Sequence, residues 1–203
     1  MKLEVNRRNA LLLVAVVAVV AVLAGRQYLG EGDRTDGRSM LPTIGGPFTL
    51  IDQTGKTVKN SDLEGRVLLI FFGYTFCPDV CPTALTIMAE ALDLLGAKAD
   101  DITPVFITVD PQRDTPEVLK SFIENFHPSI VGLTGSPEQI AAIAKSYHAY
   151  YMKVIEGEEE ADEGYLMYHI SNLYLMAPGG KFLARFPHDI APEALAAGLR
   201  KYL

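Results

Sequence analysis

Two largely apolar runs constrain this chain most: VLLIFFGY (Val67 to Tyr74) and TPVFITVD (Thr103 to Asp110). Neither alternates polar with apolar residues, so each predicts a strand buried on both faces, as in a parallel sheet covered by helices. Each is followed by a helical pattern. After the first, Pro82 to Leu95 places Leu85, Met88, Leu92 and Leu95 on one face, with Gly96 as a stop. After the second, Thr115 to Asn125 carries Pro116 in its first turn and Val118, Leu119, Phe122 and Ile123 on its apolar side. A short strand near Ile130 to Leu133 and a helix capped by Ser136, begun by Pro137 and ending near Ser146, continue the alternation.

The flanking segments are of another kind. FTLID (Phe48 to Asp52), a Gln53-Thr54-Gly55-Lys56 turn and TVK predict a small hairpin at the start. Later, Tyr150 to Ile155 reads as a strand, and Ile170 to Met176 with Phe182 to Phe186 as a hairpin about Pro178-Gly179-Gly180. Pro192 to Leu203 closes the chain as a helix. Parallel strands first and antiparallel strands later predict an α/β thioredoxin-like fold, a central mixed sheet flanked by helices.

A chain of 203 residues, 49% hydrophobic, is long enough for one well-buried domain plus an appendage. The appendage is legible: behind Arg7 and Arg8 an uncharged apolar run extends from Ala10 to Gly25. It is slightly short for a bilayer, which takes about 20 helical residues, but Arg26 can snorkel and Tyr28 can sit at the headgroups. We therefore expect a cytoplasmic tail over 1–9, a transmembrane helix over 10–25, a Gly-rich linker over 26–44 and the folded domain over 45–203. The excess of Lys and Arg before the run directs the domain to the extracytoplasmic, periplasmic side of the inner membrane. A cleaved signal ending at Val22-Leu23-Ala24 is the rival, and it exports the domain equally. Of the net charge of −7, the first 26 residues contribute four bases and one acid, which leaves the remainder strongly acidic. Such a surface excludes nucleic acid as a partner.

Both cysteines, Cys77 and Cys81, fall in the turn between the first buried strand and its helix, in CPDVCP, with Pro82 at the expected first helical position. Unpaired N–H groups and the positive end of the helix dipole favour thiolate there. A disulfide across so short a loop removes little entropy from the unfolded chain, so a mere staple explains little. A redox pair and a metal-ligand pair both stay open. Thioredoxin-type redox sites usually separate their cysteines by two residues behind a Trp; here three intervene and the chain has no Trp. Where that fold normally packs a Pro beside the pair, the segment YLMYHISNLYLM (Tyr165 to Met176) offers His169 instead. Tyr74 stands where a peroxiredoxin would want Thr or Ser. Cys77, Cys81 and His169 together make a trigonal two-sulfur, one-nitrogen set suited to Cu(I), with enough nitrogen character for Cu(II). Zinc would want a fourth ligand. His127, His148 and His188 read as ordinary hydrogen-bonded residues.

Four local stretches resemble the Sco (SenC) family of membrane-anchored copper chaperones: GYTFCPDVCPTAL (Gly73 to Leu85), FITVDPQRDTPEVL (Phe106 to Leu119), IVGLTGSPEQI (Ile130 to Ile140) and YHISNLYLM (Tyr168 to Met176). The resemblance, covering about Gly45 to Leu203, implies a thioredoxin-like domain whose Cys77, Cys81 and His169 hold one copper ion. It implies delivery of copper to the dinuclear site of cytochrome c oxidase subunit II, or reduction of that site's cysteines, with another copper chaperone or a thiol reductant as a further partner. The alternative on the same residues is a membrane-anchored thiol-disulfide reductase, or a redox or copper sensor, with Cys77 and Cys81 as the redox-active pair. Many relatives have Asp immediately before the histidine; Tyr168 stands there in this chain.

Other charged residues read more plainly. Asp79 is a loop carboxylate, and Asp110, Arg113 and Asp114 in DPQRDTP shape a turn before the helix cap at Thr115. The acidic run Glu156 to Glu163 reads as a solvated tip, with gating of His169 and display of charge to a partner as its functional alternative.

Overall fold

The computed structural model describes residues 18–20, 43–63, 65–155 and 165–203. Residues 18–20 are helical; the rest of the expected membrane anchor, the linker up to residue 42 and the acidic run lie outside the described residues. Thr43–Leu203 forms one compact unit. Its strands are β1 (Thr49–Asp52), β2 (Thr57–Lys59), β3 (Val67–Gly73), β4 (Ile102–Thr108), β5 (Val131–Thr134), β6 (Tyr151–Val154), β7 (Leu166–His169), β8 (Asn172–Met176) and β9 (Phe182–Pro187). Its α-helices are α1 (Val80–Leu95), α2 (Pro116–Ile123), α3 (Pro137–Tyr147) and α4 (Pro192–Leu199).

Seven strands form one sheet in the order β2-β1-β5-β4-β3-β8-β9. The central β3, β4 and β5 run parallel, and the outer pairings are antiparallel. The two apolar runs are therefore the middle of the sheet: every residue of β3 and all but one of β4 is buried. Parallel strands need helical crossovers, and those crossovers cover both faces. In register, Phe71, Phe106, Gly132, Leu173 and Phe186 share one face. Phe122 of α2 packs on Phe106, a Cβ on Gly198 of α4 would collide with Phe186, and one on Gly132 would crowd Ile123. On the opposite face Phe72 and Tyr174 stack edge-on or tilted against Tyr147 of α3. The caps fit the sequence: Thr115 accepts from the Val118 N–H, and Ser136 with Gln139 forms a capping box.

Among the described residues, Val80–Asp101 is long and apolar enough to cross a membrane. It is α1 with the 3-10 turn that follows it, and Ala84, Leu85, Met88, Ala91 and Leu92 bury that apolar surface in the domain core.

Three expectations need correction. The helix after β3 begins at Val80, so Pro82 is its third residue and Cys81 lies within its first turn. The strand expected over Ile170 to Met176 is β8, which begins at Asn172 and joins the main sheet, while the preceding segment, where no strand was expected, forms β7, separated from β8 by Ile170 and Ser171. Periodicity cannot see this break, since apolar residues continue through it; the chain leaves one sheet for a two-stranded ladder with β6. The closing helix ends at Leu199 and tightens into a 3-10 turn over Arg200–Tyr202.

Candidate metal centre

The cysteine turn begins where β3 ends. Cys77 N–H donates to the Tyr74 carbonyl (3.3 Å), closing the turn, and α1 starts three residues later. Cys81 N–H donates to Cys77 Sγ (3.4 Å), one of the otherwise orphaned first-turn donors of α1. Neither cysteine is in a disulfide. Gly73 makes room for the inner one: a Cβ there would lie 2.8 Å from Cys81 Sγ and 2.8 Å from the Phe106 ring.

His169 reaches this turn from the β6–β7 hairpin, whose register pairs Tyr151 with His169. Ile170 N–H donates to the Tyr150 carbonyl (3.0 Å), holding the end of β7 down. The imidazole stands edge-on to Phe71 and Tyr74, with centroids 6.0 Å and 5.9 Å away. Its Nδ1 lies 3.4 Å from Ser171 Oγ, and its Nε2 lies 3.6 Å from Cys81 Sγ. One ring nitrogen thus has a positioning partner while the other faces sulfur, the division of labour usual for a metal-binding imidazole. Cys77 Sγ, Cys81 Sγ and one His169 nitrogen all lie within 4.8 Å of one another, the one such cluster of metal-binding side chains among the described residues.

The two thiols are electrostatically unlike. Cys77 is held well below the ordinary thiol range by the hydrogen bond from Cys81, with His169 and the Asp79 and Cys81 backbone N–H groups assisting against burial. Burial pushes Cys81 up, and the Cys77 charge beside it adds to the rise. The resting pair is therefore a thiolate and a thiol. A soft cation favours loss of the second proton, because it supplies the charge partner that burial otherwise denies. A cavity of about 370 Å³ opens onto the site, lined by Tyr74, Cys77, Val154, Leu166, Tyr168 and His169. Cys81 does not line it. With Cys77 8% exposed and Cys81 0%, Cys77 is the sulfur that an incoming partner meets.

In reduced, metal-free protein, alkylation by iodoacetamide is expected to modify Cys77 first and Cys81 hardly at all. Because the folded Cys77 pKa is lowered, its rate should stay flat as the pH falls from 9 to 6. An ordinary thiol loses about tenfold per pH unit below its pKa. Mass-spectrometric mapping at each pH reads both results; ordinary titration of Cys77 in the folded protein would contradict the assignment.

The three residues selected from sequence come together; the other histidines do not. His127 Nδ1 is engaged by the Ser129 hydroxyl (2.7 Å), and His148 ends α3 in the left-handed conformation. Asp79 occupies the N-cap position of α1 without a capping bond from its side chain. Tyr168 is exposed and lines the cavity mouth. The sequence reading undervalued Asp110, Arg113 and Asp114. Asp110 and Asp114 are buried, and all three side chains are bonded to Tyr165, Thr75 or Thr108. Their signal was available: charges at the C-terminal end of a buried parallel strand sit where such folds place their sites.

Comparison with known proteins gives one answer. The profile of the family described as SCO1/SenC matches residues 37–203. Protein SenC of Rhodobacter capsulatus is 46% identical over 160 residues, covering 79% of this chain and 71% of that protein. The structure of Bradyrhizobium japonicum ScoI with copper bound superposes with a TM-score of 0.72 at 46% identity, covering 79% of this chain and 99% of that one. BsSco, described as a member of the Sco family of cytochrome c oxidase assembly proteins and studied for a disulfide switch, is similar with a TM-score of 0.61 at 28% identity, covering 83% and 98%. With its thioredoxin-like sheet, its cysteine turn and this coverage, the chain belongs to the SCO1/SenC family.

Proposed function

We propose that the protein carries one copper ion as cargo on Cys77, Cys81 and His169 and delivers it to the dinuclear copper site of cytochrome c oxidase subunit II. The observation that carries this reading is the donor set: two sulfurs and one imidazole nitrogen within 4.8 Å, in a cluster of three. That set suits soft Cu(I) and leaves a closed four-ligand zinc site incomplete. The copper-bound relative and the oxidase-assembly relative support the choice of metal and acceptor. Cargo entering through the cavity meets the Cys77 thiolate first; Cys81 then binds as it gives up its proton. Release runs in reverse, an acceptor thiolate displacing Cys77 while Cys81 regains a proton. The protein works from the extracytoplasmic face of the membrane, held by the apolar run Ala10 to Gly25.

A second reading, thiol-disulfide exchange, is favoured by the contrast between the two thiols. The Cys77 thiolate attacks an acceptor disulfide and expels one acceptor thiolate. Cys81, on losing its proton, attacks Cys77 Sγ and releases the other. Two electrons pass to the acceptor, and Cys77 and Cys81 end as a disulfide. Titrating the reduced and the oxidised full chain with Cu(I), using a chelator competitor, separates the readings. One copper bound by the reduced form alone is expected; equal binding by the oxidised form would remove the copper-site proposal.

A further inference from the structure

The loop Asp110–Asp114 leaves the end of β4 and touches both halves of the metal centre. On one side Asp114 accepts from the Thr75 N–H (3.1 Å) and the Thr75 hydroxyl (2.6 Å), two residues before Cys77. On the other side Arg113 Nη1 donates to the Tyr165 carbonyl (3.0 Å), and the Tyr165 hydroxyl donates to Asp110 Oδ1 (2.7 Å), four residues before His169. The loop is stiffened internally. Arg113 Nε pairs with Asp110, the Thr108 hydroxyl donates to Asp114, and Asp110 N–H donates back to Thr108 Oγ1 (2.9 Å). The guanidinium also lies 4.6 Å from the centre of the Phe76 ring and 3.6 Å from that of Tyr165, so this one side chain bears on both segments.

Such a tie has a mechanical reason. Cys77 and Cys81 hang on β3 and α1, which are locked into the main sheet and core. His169 hangs on β7, whose ladder runs only to β6. Among the described residues no ladder pairs that hairpin with the cysteine turn; its backbone link to β3 runs through β8, which begins three residues after His169, and side-chain bonds supply the second hold. Metal ligands must be held to within about 0.5 Å of their working geometry. Asp110 and Asp114 are at most 3% exposed, and in so dry a setting charge-assisted hydrogen bonds are strong and costly to break.

We propose that the Asp110–Asp114 loop is a positioning brace for the metal centre, in which Asp114 holds the Cys77 segment, Arg113 with Asp110 holds the His169 segment, and the Arg113 guanidinium, lying over both Phe76 and Tyr165, joins the two, setting the separation of ligands far apart in sequence. The proposal rests on the three-ligand reading above for its purpose. Its mechanics stand on this loop alone.

Hydrogen exchange of the full chain, reduced and metal-free, tests it. Replacing Arg113 by methionine should raise amide exchange by about tenfold in two distant segments, 74–79 and 165–169, the rate equivalent of losing a hydrogen bond to a charged group. The centres of β3, β4 and β5 should be unchanged. A rise confined to residues 110–116, or reaching only one of the two segments, would overturn the brace. Should exchange rise everywhere, Thr75→Val and Tyr165→Phe decide, since each removes one hydroxyl and spares the ion pair. Each should loosen its own segment, and failure of either to do so also overturns the proposal. As a signature that simple destabilisation would not give, Tyr165→Phe should weaken the imidazole nitrogen coupling in the Cu(II) spectrum while the thiolate-to-copper absorption stays. A wild-type chain that bound no copper would remove the chaperone reading, and the exchange data would still judge the brace.

Discussion

Replacing His169 by alanine is expected to weaken Cu(I) binding by more than about 100-fold, beyond the 10- to 100-fold range typical of losing a residue that merely supports a ligand, while leaving the dithiol able to exchange with a disulfide. The imidazole is one of three donors in the cluster, and no fourth is at hand among the described residues to replace it. Cys77 keeps its largest source of thiolate stabilisation, the hydrogen bond from Cys81, so its reactivity survives. Competition with a copper chelator reads the first result, and reduction of a model disulfide reads the second. Wild-type copper affinity in this variant would sink the three-ligand site. Loss of both activities together would mean that the imidazole chiefly maintains the fold of the turn.

Gly73→Ala is expected to have the largest structural effect of any single methyl group near the site. The new Cβ would stand 2.8 Å from Cys81 Sγ, 2.8 Å from Phe106 and 3.0 Å from Phe71, all fully buried side chains with nowhere to retreat. Overpacking of this kind costs about 1–3 kcal/mol. The cheapest relief moves the Cys81 sulfur, since Phe71 and Phe106 are paired across the parallel ladder. Denaturant unfolding should therefore show lost stability, and copper titration should show affinity falling along with it. A variant of undiminished stability and copper affinity would mean that the turn is softer than its packing implies.

How much of this was legible from residues alone varies by element. β3 and β4 were readable because strands buried on both faces are mostly apolar without alternation, and that pattern is local. The caps at Thr115 and Ser136 were readable because hydroxyl, proline and acid lie within four residues of one another. The cysteine pair was readable for the same reason, as one turn between a strand and a helix. The first residue of α1 was misplaced because Pro82, though well suited to a helix start, is equally tolerated two positions later, where its missing N–H would have had no helical partner either. β7 was not foreseen because nothing local marks a short strand outside the main sheet; its existence lies in what pairs alongside.

The site divides along the same line. The identity of the three candidate ligands was a matter of sequence, since side-chain chemistry and its place in the strand-helix order are written in the residues themselves. Their arrangement was not. That Cys81 is sealed beneath the turn while Cys77 faces the cavity follows from the absence of a side chain on Gly73 and the packing of Phe71 and Phe106. That His169 arrives on a separate hairpin, held to the cysteine turn through Asp110, Arg113 and Asp114, depends on bonds between segments 39 to 55 residues apart. The DPQRD stretch looked like a turn because its local geometry is a turn. Only once β3, β4 and the hairpin are packed does burial strip water from those charges and leave Thr75, Thr108 and Tyr165 as their partners, which no local pattern encodes.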